Sequence, residues 1–96
     1  MKLKKKAFVK EDKSKVSTFT WPLVENVSEV CLAGDFNKWK PEPMKKCECG
    51  FVGSVKLEPG VYQYKFVVDG QWRIDPSALE NAKNDFGSTN SVLLVN

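Results

Sequence analysis

The stretch Val61-Tyr62-Gln63-Tyr64-Lys65-Phe66-Val67-Val68-Asp69-Gly70-Gln71-Trp72 decides the fold. Residues 61–68 are dominated by β-branched and aromatic side chains and hold no glycine or proline, the composition of a strand. Asp69-Gly70 follows, a dipeptide suited to the positive φ angles of a two-residue hairpin turn. Such a turn sets Val68 against Gln71, so Val67 faces Trp72 and Lys65 faces Ile74. Alternation then sorts the side chains. Tyr62, Tyr64, Phe66 and Val68 share the apolar face expected to enter the core, while Val61, Gln63, Lys65 and Val67 take the other. Lys65 and Trp72 fall together on that outer face, as diagonal neighbours about 7–8 Å apart.

Working outward, the chain reads as more strands and turns. Residues 16–21 alternate, with Phe19 and Trp21 on one inward face, and Pro22 ends the run. A second strand is expected over 27–33, then a breaker-rich loop over 34–43, a short strand around 44–49 and another over 51–57. Glu58-Pro59-Gly60 is a turn. After the hairpin, 71–75 returns, 76–87 is expected as a loop with at most one helical turn over 77–82, and 88–95 is the last strand. The pattern predicts an all-β, two-sheet sandwich of about seven to eight antiparallel strands.

Size and charge narrow the function. A chain of 96 residues is one small domain, and it is 42% hydrophobic and 28% charged, a balance suited to a folded body. Burying only about 60–65% of its unfolded surface, it has no room for a barrel enzyme of roughly 250 residues. It has no histidine, the commonest general base and metal ligand. Residues 1–15 hold seven lysines against Glu11 and Asp12, whereas 16–96 hold eight basic and ten acidic residues. The positive charge therefore belongs to an N-terminal arm, read as a solvated lead-in to a domain over 16–96. A nucleic-acid partner is not expected, because the body lacks a basic excess.

No signal peptide or membrane span is expected, since the longest apolar run in the arm is Ala7-Phe8-Val9. Cys31, Cys47 and Cys49, an odd number, point to reduced thiols in a cytoplasm. Three thiols without histidine leave a structural zinc site one ligand short, so no metal is expected. If residues 47–49 are extended, the thiols of Cys47 and Cys49 share one face of a strand, where they read as small packing residues.

The remaining chemistry lies on the outer face. Trp39 sits in a loop of glycine, asparagine and proline, an unusual place for a large apolar side chain, and Phe36 is better placed to plug the core. Trp72 beside Lys65 has two readings: it covers sheet under a loop while Lys65 snorkels, or something flat and polar docks there. A sugar offers an apolar C–H face and a hydroxyl rim, and Trp39, Trp72, Lys65 and Asn90 are the matching plates and hydrogen-bonding groups. Catalysis is not expected. Asp35, Glu58, Asp69 and Asp85 sit at turns rather than flanking a cleft, and there is no nucleophile elbow or phosphate-cradling loop. No cofactor is called for.

Five motifs in order carry a resemblance: Phe19-x-Trp21; Val30-x-Leu32-Ala33-Gly34-Asp35-Phe36-Asn37-Lys38-Trp39; residues 62–72; Asp75-Pro76; and Phe86-Gly87-Ser88-Thr89-Asn90-Ser91-Val92. Together they resemble the glycogen-binding domain of the AMP-activated protein kinase beta subunit and the early-set domains of isoamylases and glycogen-branching enzymes. The resemblance covers about 16–96 and implies an immunoglobulin-like early-set sandwich that binds α-1,4-linked glucan (glycogen, starch or maltooligosaccharides). It implies stacking by Trp39 and Trp72, hydrogen bonds from Lys65 and Asn90, an apolar contact from Phe86 and a hydroxyl from Ser88. Phe86 stands where the family usually has leucine, and Ser88 where threonine is usual. The competing expectation is a docking or regulatory module of a glycogen-metabolism enzyme or kinase, with the sugar site vestigial. A monomer or weak dimer suits exposed sandwich edges.

Overall fold

In the computed structural model, which describes residues 13–24, 26–84 and 87–96, Val67 pairs with Trp72 and Val68 with Gln71. The hairpin turn is made as expected: Asp69 and Gly70 have φ of 48° and 86°. The hairpin's first strand, β6 (Gly60–Val68), is the spine of the larger sheet. On one side it pairs along residues 64–68 with β2 (Val30–Gly34). On the other it changes partner midway. Its first half, up to Tyr64 opposite Ser91, pairs with β9 (Thr89–Val95). Its second half, from Phe66 opposite Arg73, pairs with β7 (Gln71–Arg73). Lys65 lies between the two pairings.

The larger sheet is completed by β3 (Glu42–Pro43) beside β2 and β8 (Glu80–Lys83) beside β9. The smaller sheet has β1 (Lys15–Pro22), β5 (Gly50–Leu57) and β4 (Lys45–Cys47) in the order β1-β5-β4. All pairings are antiparallel. The result is the immunoglobulin-like β-sandwich expected. Its nine described strands exceed the expected count because β3 and β8 lie in stretches expected as loops.

The inward faces match the alternation. Phe19, Val30, Leu32, Met44, Phe51, Tyr64, Phe66 and Val68 form one buried cluster, against which Trp21 and Phe36 pack from its margins. Phe66 is fully buried, meeting Trp21 and Tyr64 edge-on with ring centroids 5.2 and 5.9 Å apart. Burial of such a side chain contributes about 1.5–3 kcal/mol. Phe36 reaches Phe19 at 5.5 Å, as the loop reading required.

Four expectations are corrected. Residues 76–87 are not a loop with a helical turn at 77–82: Glu80–Lys83 form β8, since the edge of β9 offers its free hydrogen-bonding groups to a segment with little strand propensity of its own. The return strand stops at Arg73, so the pairing of Lys65 with Ile74 is not made, and Asp75 turns inward instead. Cys47 and Cys49 do not lie along one strand: β4 ends at Cys47, which pairs with Gly50 across a two-residue turn. The second strand also starts later than expected, at Val30.

The hairpin turn has a role its sequence did not announce. The Asp69 carboxylate accepts the main-chain N–H groups of Ser28 (3.1 Å) and Glu29 (2.8 Å), and the Asp69 N–H donates to the Glu29 carbonyl at 2.9 Å. One side chain thus ties the lead-in of β2 to the tip of the hairpin. Asp75 is a second hub, buried at 8% exposure. Its Oδ2 accepts the Tyr64 hydroxyl at 2.6 Å, its Oδ1 accepts the N–H and hydroxyl of Ser77, and its own N–H donates to Ser91 Oγ. Burial first, and the bond to Asp75 second, push the Tyr64 phenol well above its ordinary range.

Candidate binding site on the outer sheet face

The division of β6 between β9 and β7 creates the site. Where the two partners part, the outer face of the larger sheet opens into a cleft of about 550 Å³ lined by Asp35, Trp39, Gln63, Lys65, Trp72, Asn84 and Asn90. Gln63 and Lys65 come from β6, Asp35 and Trp39 from the loop after β2, and Trp72, Asn84 and Asn90 from β7, the end of β8 and β9, so the cleft is a product of topology.

Trp39 is aimed by a loop with a costly backbone. A single 3-10 turn over Asp35–Asn37 follows β2, and then Lys38 and Trp39 both take φ of 60°. Two consecutive non-glycine residues in this left-handed region cost roughly 1–2 kcal/mol each. Local bonds offset that cost. Asn37 accepts the Gly34 N–H at 2.9 Å and donates its amide to the Leu32 carbonyl at 3.1 Å. The Trp39 N–H donates back to the Gly34 carbonyl at 2.9 Å. The indole Nε1–H then donates to Asp35 Oδ1 at 3.1 Å, while Asp35 Oδ2 accepts the Gln63 N–H at 2.8 Å. Asp35 therefore locks the ring of Trp39 to β6.

Trp72, on the short β7, is 48% exposed. Its ring stands 6.5 Å from that of Trp39, the planes inclined at 40°. The rings form two walls of a shallow trough, and the polar groups make its floor. Lys65 Nζ donates to Ser88 Oγ at 2.6 Å. Asn84 fixes Ser88 in turn, its side-chain oxygen accepting the Ser88 N–H at 3.0 Å and its N–H donating to the Ser88 carbonyl at 2.8 Å. Asn90 is 6% exposed, and its amide donates to Gln63 Oε1 at 2.9 Å.

Trp39, Lys65, Trp72, Ser88 and Asn90 are thus brought to one place on the sheet. Phe86 lies outside the described residues. Asn90 sits in the floor rather than on a rim, with Gln63 as its partner. Asp35, Gln63 and Asn84 are the lining residues that sequence reasoning passed over. Asp35 and Asn84 look like ordinary turn formers, and Gln63 looks like a neutral outer-face position. Gln63 had one signal, since alternation put it on the face of Lys65.

The arrangement is suited to binding. It offers two aromatic walls, an ammonium, amides and a hydroxyl, and the cleft's one described carboxylate already accepts two internal hydrogen bonds. Among the described residues no group of three or more histidine, cysteine or carboxylate side chains is placed to hold a metal ion, and no helix is long and apolar enough to cross a membrane. A second hollow of about 540 Å³, at the edge between β1 and β9, has Tyr64 and Asp75 in its lining, but their polar atoms are bonded to one another.

Fold and cleft together define a small β-sandwich binding module. Residues 16–96 match the family model described as the glycogen recognition site of AMP-activated protein kinase, and the chain belongs to that family of carbohydrate-binding modules. Among its relatives, Protein PTST homolog 2, chloroplastic, of Arabidopsis thaliana is 41% identical over 83 residues, 84% of this chain and 15% of that protein. The 5'-AMP-activated protein kinase subunit beta-1 of Sus scrofa is 40% identical over 67 residues, 70% of this chain and 54% of the relative. The chain thus spans no more than about half the length of these relatives. Among solved structures, the maltogenic amylase from S. marinus superposes with a TM-score of 0.67 at 24% identity, covering 84% of this chain and 13% of the enzyme, a likeness of fold.

Proposed function

We propose that this chain is a non-catalytic module that binds α-1,4-linked glucan in the trough between Trp39 and Trp72. The observation that carries the reading is the pair of inclined indole rings over a floor of Lys65, Gln63 and Asn90. An α-1,4-linked chain curves, so consecutive glucose rings present faces tilted to one another, which suits two plates inclined at 40° better than parallel ones. Lys65, from the floor, and Ser88 beside it would read sugar hydroxyls. Asn90 would act through its remaining amide capacity and by orienting Gln63. Phe86 is assigned an apolar contact by its place in the family's motif. Membership of a glycogen-recognition family supports the ligand class. Each stacked indole would contribute about 1–3 kcal/mol, as for bases on aromatics. An open trough of this kind fits a Kd between roughly 1 μM and 1 mM. The odd number of cysteines, three, supports a reducing cytoplasm as its compartment.

A second reading, docking to a protein such as a glycogen-metabolism enzyme, draws on one observation. Val61 and Leu94 are directly paired on the same outer face and are 66% and 63% exposed. Tryptophan fluorescence during titration with a linear maltooligosaccharide and with β-cyclodextrin separates the two. Saturable quenching that Trp72→Ala abolishes supports the glucan reading. No response at millimolar sugar from folded protein overturns it in favour of docking.

A further inference from the structure

The β4–β5 turn, on the smaller sheet, holds a pair of sulfur atoms that the glucan reading does not use. Cys47 Sγ and Cys49 Sγ are 2.7 Å apart, in hydrogen-bond contact as free thiols. Cys49 is exposed and Cys47 half-buried at the end of its strand. The turn that brings them together is set from behind. Gly50, paired with Cys47, has a φ of 135°, and a Cβ there would come within 2.2 Å of the Trp21 carbonyl oxygen. Only glycine fits, so β1 holds the turn in the shape that folds Cys49 back on Cys47. Beside Cys49 lies a hollow of about 470 Å³ lined by Thr20, Pro22, Asp75, Pro76 and Ser77, large enough to seat one arm of an incoming molecule.

We propose that Cys47 and Cys49 form a thiol–disulfide exchange site, whose substrate is an external disulfide. The sulfurs need only close from 2.7 Å to a bonded length of about 2.05 Å. The two thiols are not equivalent. Either thiol can donate to the other; the contact with Cys49 and the N–H groups of Cys49 and Gly50 draw the Cys47 thiol below the ordinary range, with burial and Glu48 opposing, while the contact with Cys47 pushes Cys49 up. The two main-chain N–H groups that face its sulfur favour Cys47 as the attacking thiolate. It displaces one thiolate from the external disulfide and forms a mixed disulfide. Cys49 then loses its proton to solvent and attacks Cys47 Sγ, releasing the second thiolate. The protein loses two electrons and two protons, the external disulfide gains two electrons, and its two halves leave as thiols. A bridge spanning one intervening residue at an exposed turn is the kind that is readily reduced again, so the reaction runs in both directions. Cys31 takes no part, because burial and the neighbouring Glu29 raise its thiol above the ordinary range.

The test is oxidation of the whole chain in one arm by glutathione disulfide and in the other by a protein carrying an exposed Cys-x-x-Cys disulfide. Remaining thiols are alkylated and the products mapped by mass spectrometry. The expected product is two hydrogens lighter, bridged between Cys47 and Cys49, with Cys31 alkylated. Cys47 should react at least about tenfold faster than Cys31 at pH 7. Cys49→Ser should stall as a mixed disulfide on Cys47, and Cys31→Ser should leave the reaction unchanged. Bridging in the first arm supports a low-molecular-weight source, and bridging in the second alone supports a protein source. No bridge in either arm, or equal reactivity of Cys47 and Cys31, overturns the proposal. Glucan binding is read separately, so neither result bears on the other.

Discussion

The Asp35 carboxylate receives the indole N–H of Trp39 at 3.1 Å and, through its other oxygen, the main-chain N–H of Gln63 at 2.8 Å. Trp39 is thereby held in place by the fold itself, which should lower the ordering cost of the proposed binding. Asp35→Ala should lower stability by about 1–3 kcal/mol, because it removes the acceptor of two donors. It should also weaken glucan binding by about three- to tenfold through a loosened ring. Urea unfolding and fluorescence titration measure the two effects. Unchanged affinity in a folded variant would remove the positioning role.

Trp72→Ala should separate binding from folding. The ring is half exposed on a three-residue strand, so its loss should cost under about 1 kcal/mol of stability. Glucan affinity should fall at least about tenfold, or 1.4 kcal/mol. Lys65→Ala should give a smaller loss, and calorimetric titration of both variants checks the order.

Salt offers an independent test. Stacking and hydrogen bonds to a neutral sugar release no counterions, so the Kd should change less than about twofold between 50 mM and 500 mM salt. A steep decline would instead favour an anionic ligand held by lysines.

Asp69 serves both the turn and the clamp, and two substitutions separate these roles. Asp69→Gly accepts the positive φ but loses the carboxylate that receives Ser28 and Glu29, which should cost about 1–3 kcal/mol. Asp69→Asn keeps a side-chain acceptor and should cost less. Urea midpoints rank the two, and glucan affinity should follow neither.

The Tyr64 phenol sets an alkaline limit. Its folded value is raised, so the neutral form is favoured in the native state and its full contribution is present below the unfolded value of about 10. Above that pH the unfolded chain releases a proton the native state retains, so stability falls as pH rises towards the folded value. Tm measured from pH 8 to 11 should decline less steeply above pH 10 in Tyr64→Phe.

What the sequence revealed follows from local rules. The Asp69-Gly70 turn and two-residue alternation suffice to place Lys65 and Trp72 on one outer face, and both rules are insensitive to the rest of the molecule. The strand at Glu80–Lys83 was hidden because its pairing is supplied by β9 and not by its own residues. The burial of Asn90 was hidden for a similar reason, since its partner Gln63 lies 27 residues away. Asp35 carried no mark beyond that of a turn residue, because its work depends on two left-handed residues after it. The thiol contact was hidden too: a glycine whose φ answers to the backbone of β1 decides whether Cys47 and Cys49 extend or fold together.

The trough opens where β6 passes from β9 to β7, on the exterior of the sheet and not in a pocket with an end wall. Under the proposed function a polymer laid across this face should leave by both sides, so the module should recognise the middle of a chain as readily as its ends. A long glucan then offers overlapping landing positions, one for nearly every sugar along its length. The apparent affinity for the polymer should rise with chain length by this statistical factor even when the contacts at each landing stay the same.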